Sequence, residues 1–183
     1  MTITTAKWTI DEYHRLVETG LLDDKRVELL QGIIVDMPPE GLPHAFYCSE
    51  SVDYLKNLLG DRAKVREAHP ITLPDDSEPE PDIAIVRTPS RQYRDRHPYP
   101  ADIFWLIEYA DSTLRKDINE KKQVYAAAGI QEYWVVNLQV LELIVFRDLE
   151  SGTYRYETKL ATGNISPLSF PDLQIDIRKL FTA

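Results

Sequence analysis

The sequence predicts an α/β (α+β) fold in which helices flank a mixed β-sheet. The periodic segments follow the order helix, hairpin, helix, several strands, helix and further strands. The last helix falls between two apolar strands, an arrangement that indicates a parallel pair inside the sheet. The length of 183 residues and the 43% share of hydrophobic residues predict one globular domain over residues 1–183.

The first third of the chain predicts an N-terminal helix, a β-hairpin and a second helix. The segment TIDEYHRLVETGLL has helical spacing, with Thr9 as the N-cap and Gly20 near its end. RVELLQGIIVDM predicts two apolar strands joined by a turn at Gln31 and Gly32. After a PPEGLP loop, apolar residues at helical spacing predict a helix over HAFYCSESVDYLKNLLG, which ends on Gly60.

The middle of the chain predicts three extended segments and two polar loops. AKVREAHPITL is extended and is broken by Pro70, DIAIV is a short apolar strand, and DIFWLIEYA is a longer one. The loop at 75–82 carries five acidic residues and no basic one, and the loop at 87–102 is polar with three prolines.

The last third predicts a third helix, three strands and a short tail. In DINEKKQVYAAAGI, Asp117 is the expected N-cap, Glu120 completes a capping box, and Gly129 follows the end of the helix. EYWVVNL and VLELIVFRD predict strands joined by a turn near Gln139, and TYRYETKLA predicts another. SPLSFPDLQIDIRKLF predicts a short extended piece and a final helical turn.

The formal net charge of −9 counts against a large nucleic-acid footprint, because neutralising phosphates usually takes a basic face. The charge is uneven, however, since Arg91, Arg94 and Arg96 cluster in the loop at 87–97. These arginines are candidate contacts to a DNA backbone. The alternative is that both charged loops are simply solvated.

The composition also predicts a cellular location. No apolar run is long enough for a transmembrane helix, and the first residues lack the basic head and apolar stretch of a secretion signal. Cys48 is the single cysteine, which excludes an internal disulfide and fits a cytoplasmic protein. We therefore expect a cytoplasmic protein that does not associate with membranes.

Two carboxylates are candidates for a metal site. Asp82 follows a proline and opens a strand, and Glu108 lies in the apolar run WLIEYADST near the end of the next long strand. Buried carboxylates are rare unless they are paired or bind a metal. If the two strands are neighbours, both carboxylates meet at one edge of the sheet. A hard divalent cation relieves their repulsion, and Mg²⁺ is the expected ion because histidine and cysteine clusters are absent.

The helix after Glu108 contributes a candidate lysine. Asp117, Lys121 and Tyr125 are spaced four residues apart and therefore line one face of a helix. A lysine at this face could stabilise negative charge that develops on a phosphate.

Each of these residues taken alone has a simpler interpretation. Asp82 could be a turn residue, Asp117 an N-cap, Lys121 a solvated helix residue and Tyr125 a packing residue, while Glu108 could pair with an arginine. Only the joint arrangement is moderately specific.

In this order, a PD pair, a glutamate in a strand and a lysine resemble the PD-(D/E)XK nuclease superfamily. The chain is most similar to a bacterial restriction-endonuclease family that is also known as a family of unknown function. The resemblance runs through VELLQGIIVDMPP, EPEPDIAIV and WLIEYADSTLRKDINEKKQVYAAAGIQEYWVVNL. It implies a restriction-endonuclease-like sheet of about four to five core strands flanked by helices.

The resemblance also implies roles for matching residues. Asp82 and Glu108 would hold Mg²⁺, or Mn²⁺, and Lys121 would be the catalytic lysine. Glu28 would be an auxiliary acidic residue, and two further matching positions, occupied by His44 and Tyr125, carry no assigned role. DNA would be the substrate and a homodimer the working form.

The chain departs from the simplest pattern at one position. A glutamate-X-lysine motif would place lysine at position 110, where this chain has Ala110. The lysine must therefore come from the next helix, with Lys121 as the first candidate and Lys122 as the second. Because these two differ by about 100° around a helix, only one can face the site.

The function predicted from these observations is Mg²⁺-dependent hydrolysis of DNA phosphodiester bonds by an endonuclease. The main alternative is a catalytically weak or inactive nuclease-fold protein that acts as a binding or regulatory module, which the net charge favours. A third alternative is a metal-binding structural protein whose dimer interface buries the EYW strand.

Overall fold

The computed structural model describes residues 6–74 and 76–182. This range leaves out residues 1–5 of the predicted domain, residue 75 at the start of the acidic loop at 75–82, and residue 183. The elements follow the chain in this order: α1 (Ile10–Glu18), β1 (Val27–Leu30), β2 (Ile33–Asp36), α2 (Leu42–Leu59), β3 (Lys64–Glu67), β4 (Ile83–Val86), β5 (Ile103–Ala110), α3 (Leu114–Lys116), α4 (Lys122–Ala127), β6 (Tyr133–Asn137), β7 (Glu142–Glu150), β8 (Thr153–Leu160), β9 (Asn164–Ile165) and β10 (Ile175–Asp176).

Short helical turns connect several of these elements. A π-helical turn, Asp117–Lys121, joins α3 to α4, and we call the continuous segment from α3 through α4 the site helix. Turns of 3₁₀ type span Gly60–Arg62, Ser90–Tyr93, Pro100–Asp102 and Ile177–Leu180. The last of these is the helical turn predicted for the tail.

Six strands form the central sheet in the order β3-β4-β5-β6-β7-β8. The β5–β6 pair is parallel, and all other neighbours are antiparallel. The site helix is the crossover between the parallel strands, as its position between two apolar strands predicted. The mixed sheet with flanking helices confirms the predicted fold class.

Each face of the sheet is covered by a different layer. On one face, α2 packs through Val52 and Leu55 together with the C-terminal segment. On the other face, the site helix packs through Val124 and Tyr125, next to the β1–β2 hairpin. Because successive side chains of a strand point to opposite faces, Glu108 lies on the site-helix face.

Local signals account for the predicted boundaries of the first elements. Thr9 caps α1, and its backbone N–H donates to the carboxylate of Glu12 in a complete capping box. Gln31 and Gly32 have φ values of 49° and 75°, the left-handed pair that a two-residue hairpin requires. These turn and cap predictions are confirmed.

Two predicted helix starts were wrong. The loop predicted for PPEGLP ends early, because α2 begins at Leu42, with a proline in its first turn where no backbone N–H is needed. The third helix begins at Leu114, so Asp117 is not its N-cap and Glu120 completes no capping box. The N–H of Asp117 donates to the carbonyl of Thr113, which makes Asp117 an interior helical residue with a buried side chain.

The EYW strand lies inside the core, so it cannot form the dimer interface of the third alternative. Tyr133 and Trp134 are fully buried in β6, at the centre of the six-stranded sheet. Within residues 6–74 and 76–182, none of the helices has the length and apolar character needed to cross a bilayer.

Candidate active site

A cavity of about 200 Å³ opens at the edge of the sheet where β4 begins and β5 ends. Its wall is formed by the hairpin, the start of α2, the segment before β4, the end of β5 and the first half of the site helix. The structure brings six predicted site residues to this place: Glu28, His44, Asp82, Glu108, Lys121 and Tyr125.

Asp82 lies immediately before β4 and beside the end of β5. The antiparallel register pairs Ile83 with Ile107, so Asp82 comes next to Glu108 across the two strands. The N–H of Tyr109 donates to Asp82 Oδ2 at 2.6 Å, and the N–H of Asp82 approaches Glu108 Oε2 at 3.4 Å. Strand pairing alone therefore places the two carboxylates at one edge.

Glu108 is buried in β5 and is held by side chains of the site helix. Lys121 Nζ donates to Glu108 Oε1 at 2.8 Å, and the Tyr125 hydroxyl donates to the same oxygen at 2.6 Å. The partner of the buried glutamate is thus a lysine and a tyrosine, not an arginine. Tyr125 combines this hydrogen bond with packing against Tyr133.

Lys121, and not Lys122, faces the cavity. Only 7% of the Lys121 side chain is exposed, which excludes the solvated interpretation. Lys122 points away, with its ammonium 3.7 Å from Glu157 and over the ring of Phe146. Of the two candidate lysines, Lys121 is therefore the one whose ammonium reaches the Glu108 carboxylate.

Glu28, in β1, connects two lysines of the site helix. Lys116 Nζ donates to Glu28 Oε1 at 2.8 Å, and Lys121 Nζ lies 3.6 Å from Glu28 Oε2. The two lysines are five residues apart, and a π-helical turn brings residues of that spacing onto one line of the helix. The π turn therefore places both ammonium groups on one carboxylate.

His44, in the first turns of α2, contacts Asp82. Its Nε2 lies 3.0 Å from Asp82 Oδ2, and its Nδ1 is buried with no hydrogen-bond partner among the residues that the structure describes. Burial lowers the pKa of His44, but the hydrogen bond to Asp82 and the nearby carboxylates outweigh it, so the pKa lies above its ordinary value.

Burial opposes ionisation of two carboxyl groups at this site, those of Glu108 and Asp117. Burial raises the pKa of Glu108 to about 8, although Lys121 opposes the rise. Burial also raises the pKa of Asp117 to about 6. Burial would lower the pKa of Lys121, but the charges of Glu108 and Glu28 reverse the effect and raise it.

Asp82 and Glu108 are the two carboxylates here that could hold a magnesium ion. Across the described part of the chain, no three His, Cys, Asp or Glu side chains form a group that could hold a metal ion. Mg²⁺ is commonly bound through one or two carboxylates and keeps several waters, so Asp82 and Glu108 suffice. Burial raises the pKa of Glu108, with a smaller contribution from the charges of Asp82 and Asp117, and a bound divalent cation would favour the ionised carboxylate.

The three arginines predicted to contact DNA lie elsewhere. They belong to the loop between the end of β4 and the start of β5, whereas the cavity lies at the opposite ends of these strands. None of Arg91, Arg94 and Arg96 is among the residues lining the cavity. Arg96 donates to Asp102 at 2.6 Å and stacks over Tyr99, while Arg94 is exposed.

Lys116 was not predicted from the sequence, and Asp117 was given a different role. Lys116 was missed because α-helical periodicity does not align it with Lys121. Asp117 was recognised as a member of the cavity face but was interpreted as a cap, whereas its buried carboxylate lines the cavity and accepts from the Thr113 hydroxyl at 2.7 Å. A five-residue lysine spacing is the sequence signal that could have identified Lys116.

Comparisons with known proteins agree with this architecture. A family model described as "Uma2: Putative restriction endonuclease" matches residues 10–178. The structure is similar to that of a "putative nuclease belonging to DUF820 from Anabaena variabilis ATCC 29413", with a TM-score of 0.76 and 20% identity over 95% of this chain and 97% of that one. No curated protein matches the chain.

Proposed function

Because the chain belongs to the Uma2 restriction-endonuclease family, we propose that it is a metal-dependent endonuclease that hydrolyses DNA phosphodiester bonds. Membership in this family supports a nuclease function and confirms the resemblance found in the sequence. The dependence on Mg²⁺, the DNA substrate and the catalytic residues are our proposal. The observation that carries it is the convergence of Asp82, Glu108 and Lys121 at one cavity.

Asp82 and Glu108 are the residues that would hold Mg²⁺ or Mn²⁺. Such an ion supplies Lewis-acid stabilisation for a phosphate oxygen and for the attacking water. His44 orients Asp82 through the contact at 3.0 Å, and Tyr125 orients Glu108 through its hydroxyl. Both carboxylates are thereby held in position before any cation binds.

Lys121 contributes positive charge at the same place. Its ammonium is held between Glu108 and Glu28, so it cannot swing out to solvent. A fixed, buried cation stabilises negative charge on a phosphate more strongly than a cation surrounded by water does. Removing one such preorganised group typically lowers kcat by about 10²–10³-fold.

The test is cleavage of plasmid and single-stranded DNA by the purified protein with Mg²⁺ or Mn²⁺. We expect Asp82→Ala, Glu108→Ala and Lys121→Met each to lower cleavage by about 10²-fold or more. Lys122→Met is the matched control, because this neighbouring lysine faces Glu157 instead of the cavity. Cleavage that survives all three changes would exclude this site.

The alternative is a nuclease-fold protein that binds nucleic acid without cutting it. The net charge of −9 and a carboxylate pair with no third metal-binding side chain in the described residues favour it. DNA binding by wild type, with no cleavage under either cation, would select this alternative. The homodimer stays a prediction, which sedimentation equilibrium can test.

A further inference from the structure

The candidate cavity presents an electrostatic problem for an anionic substrate. Seven carboxylate side chains line it, against three permanently cationic ones. Of these three, Lys121 is enclosed by two buried glutamates and is 7% exposed. A phosphodiester that approaches from solvent must therefore first meet the other two cations, Arg26 and Lys116.

We propose that Arg26 and Lys116 are the cations that bind the backbone phosphates of DNA at the mouth of this cavity. This inference rests on the proposed function and names the contact surface for its substrate. Arg26 and Lys116 thereby take the place of the arginines in the loop at 87–97 as the expected contacts to DNA. The arginines of that loop lie beyond the far end of β4, whose four residues at about 3.3 Å each span roughly 13 Å from the cavity edge.

The exposure of the two side chains supports this role. Arg26 precedes β1, and its side chain is 51% exposed. Lys116 is the last residue of α3 in the site helix, and its side chain is 23% exposed. Together with Lys121 they form a series of cations from the solvent to the buried carboxylates. Such a series of cations attracts a phosphate from the solvent towards the buried end of the cavity.

Both side chains keep unused hydrogen-bond donors. Arg26 donates through Nη2 to Glu40 at 2.9 Å, which leaves most of the five N–H groups of its guanidinium for a phosphate. Lys116 donates to Glu28 at 2.8 Å, which leaves two of its three ammonium N–H groups. Each cation can therefore bind a phosphate without giving up its carboxylate partner.

The chain offers a matched control for each cation. Arg155 pairs with Glu150 at 2.8 Å and is 57% exposed, which resembles Arg26. Lys122 pairs with Glu157 at 3.7 Å and is 28% exposed, which resembles Lys116. The test variant Arg26→Gln/Lys116→Gln and the control variant Arg155→Gln/Lys122→Gln thus change the net charge equally.

The experiment measures binding and cleavage separately in the full chain. Binding of a labelled duplex of about 20 base pairs is followed by fluorescence anisotropy in EDTA, between about 50 and 200 mM salt. We expect the test variant to raise Kd by at least about 10-fold and to lower the slope of log K against log salt by about 2. In Mg²⁺, its KM should rise by more than that of the control variant, because the two cations bind the substrate.

Four outcomes decide the question. Loss of binding in the test variant alone supports the inference. Cleavage by wild type with equal Kd and KM in the test and control variants overturns it and leaves the proposed function standing. Weaker binding in Arg91→Gln/Arg94→Gln instead also overturns it. Wild type that neither binds nor cleaves DNA rejects both the inference and the proposed function.

If Lys116→Gln lowers stability, Arg26→Gln alone tests the same point, since this arginine is exposed.

Discussion

Replacing Glu108 by glutamine should change the pH dependence of stability in a defined direction. The folded carboxyl has a pKa of about 8, against an ordinary value of 4.5, because it is buried on β5. Between these values the unfolded chain has lost the proton that the folded protein keeps. The free energy of unfolding of the wild type therefore falls as the pH rises from 4.5 to 8.

The size of the effect follows from the difference between the two pKa values. At about 1.36 kcal/mol per pKa unit, a difference of about 3.5 amounts to on the order of 5 kcal/mol. Glutamine cannot titrate, so Glu108→Gln lacks this contribution. At pH 5 it resembles the protonated carboxyl in shape and charge, and its stability should be close to that of the wild type. We expect the variant to become the more stable protein by about 3–5 kcal/mol at pH 9.

Urea denaturation in EDTA at pH 5 to 9, followed by tryptophan fluorescence, measures the difference. Asp117 and the other titrating groups are present in both proteins, so the difference between the curves reports Glu108 together with its charge interactions with Lys121, Asp82 and Asp117. Glu157→Gln, whose side chain is exposed on β8, is the control. Parallel curves for wild type and Glu108→Gln would refute the assignment of a buried, proton-retaining carboxyl.

Four further predictions concern stability. Mg²⁺ at about 100 times its Kd should stabilise the wild type at pH 8 by about 2.7 kcal/mol, and equal stabilisation of Glu108→Gln would refute the carboxylate site. Tyr125→Phe should cost about 1–2 kcal/mol in urea denaturation because Glu108 loses a buried donor, and a neutral result would show that the bond contributes nothing. Arg147→Met should lower the free energy of unfolding by about 3–5 kcal/mol because it leaves the fully buried Glu132 without its cationic partner. A loss below about 1 kcal/mol would show instead that the carboxyl group protonates. Thr9→Ala should cost about 1 kcal/mol through the lost cap of α1, and an unchanged melting curve would contradict that role.

Much of the fold was predictable because its signals are local. The Gln31-Gly32 turn, the Thr9 cap and the glycine after α4 each depend on hydrogen bonds within a few residues. The apolar strands on either side of the site helix likewise predicted the parallel pair. The cap predicted at Asp117 was wrong because the helix already begins at Leu114, and the Asp117 N–H donates to the carbonyl of Thr113.

The candidate site was predictable in part for the same reason. Asp82 and Glu108 stand in strands whose order along the chain makes them neighbours, and the burial of Glu108 follows from the apolar run around it. The position of the arginine loop was not predictable from its charge. A loop that joins two antiparallel strands lies at one end of them, and only the register shows that Asp82 and Glu108 lie at the other.

The sequence by itself determined the strand and helix pattern, the carboxylate pair and the need for a lysine from outside the strand. Only the tertiary structure decided which lysine faces the cavity, because Lys121 and Lys122 are neighbours that point in different directions. It also decided that Lys116 joins the site, since the π turn and the distant Glu28 of β1 together set that contact. Sequence periodicity describes an ideal α-helix, whereas packing against the sheet favours the π turn that brings Lys116 and Lys121 together.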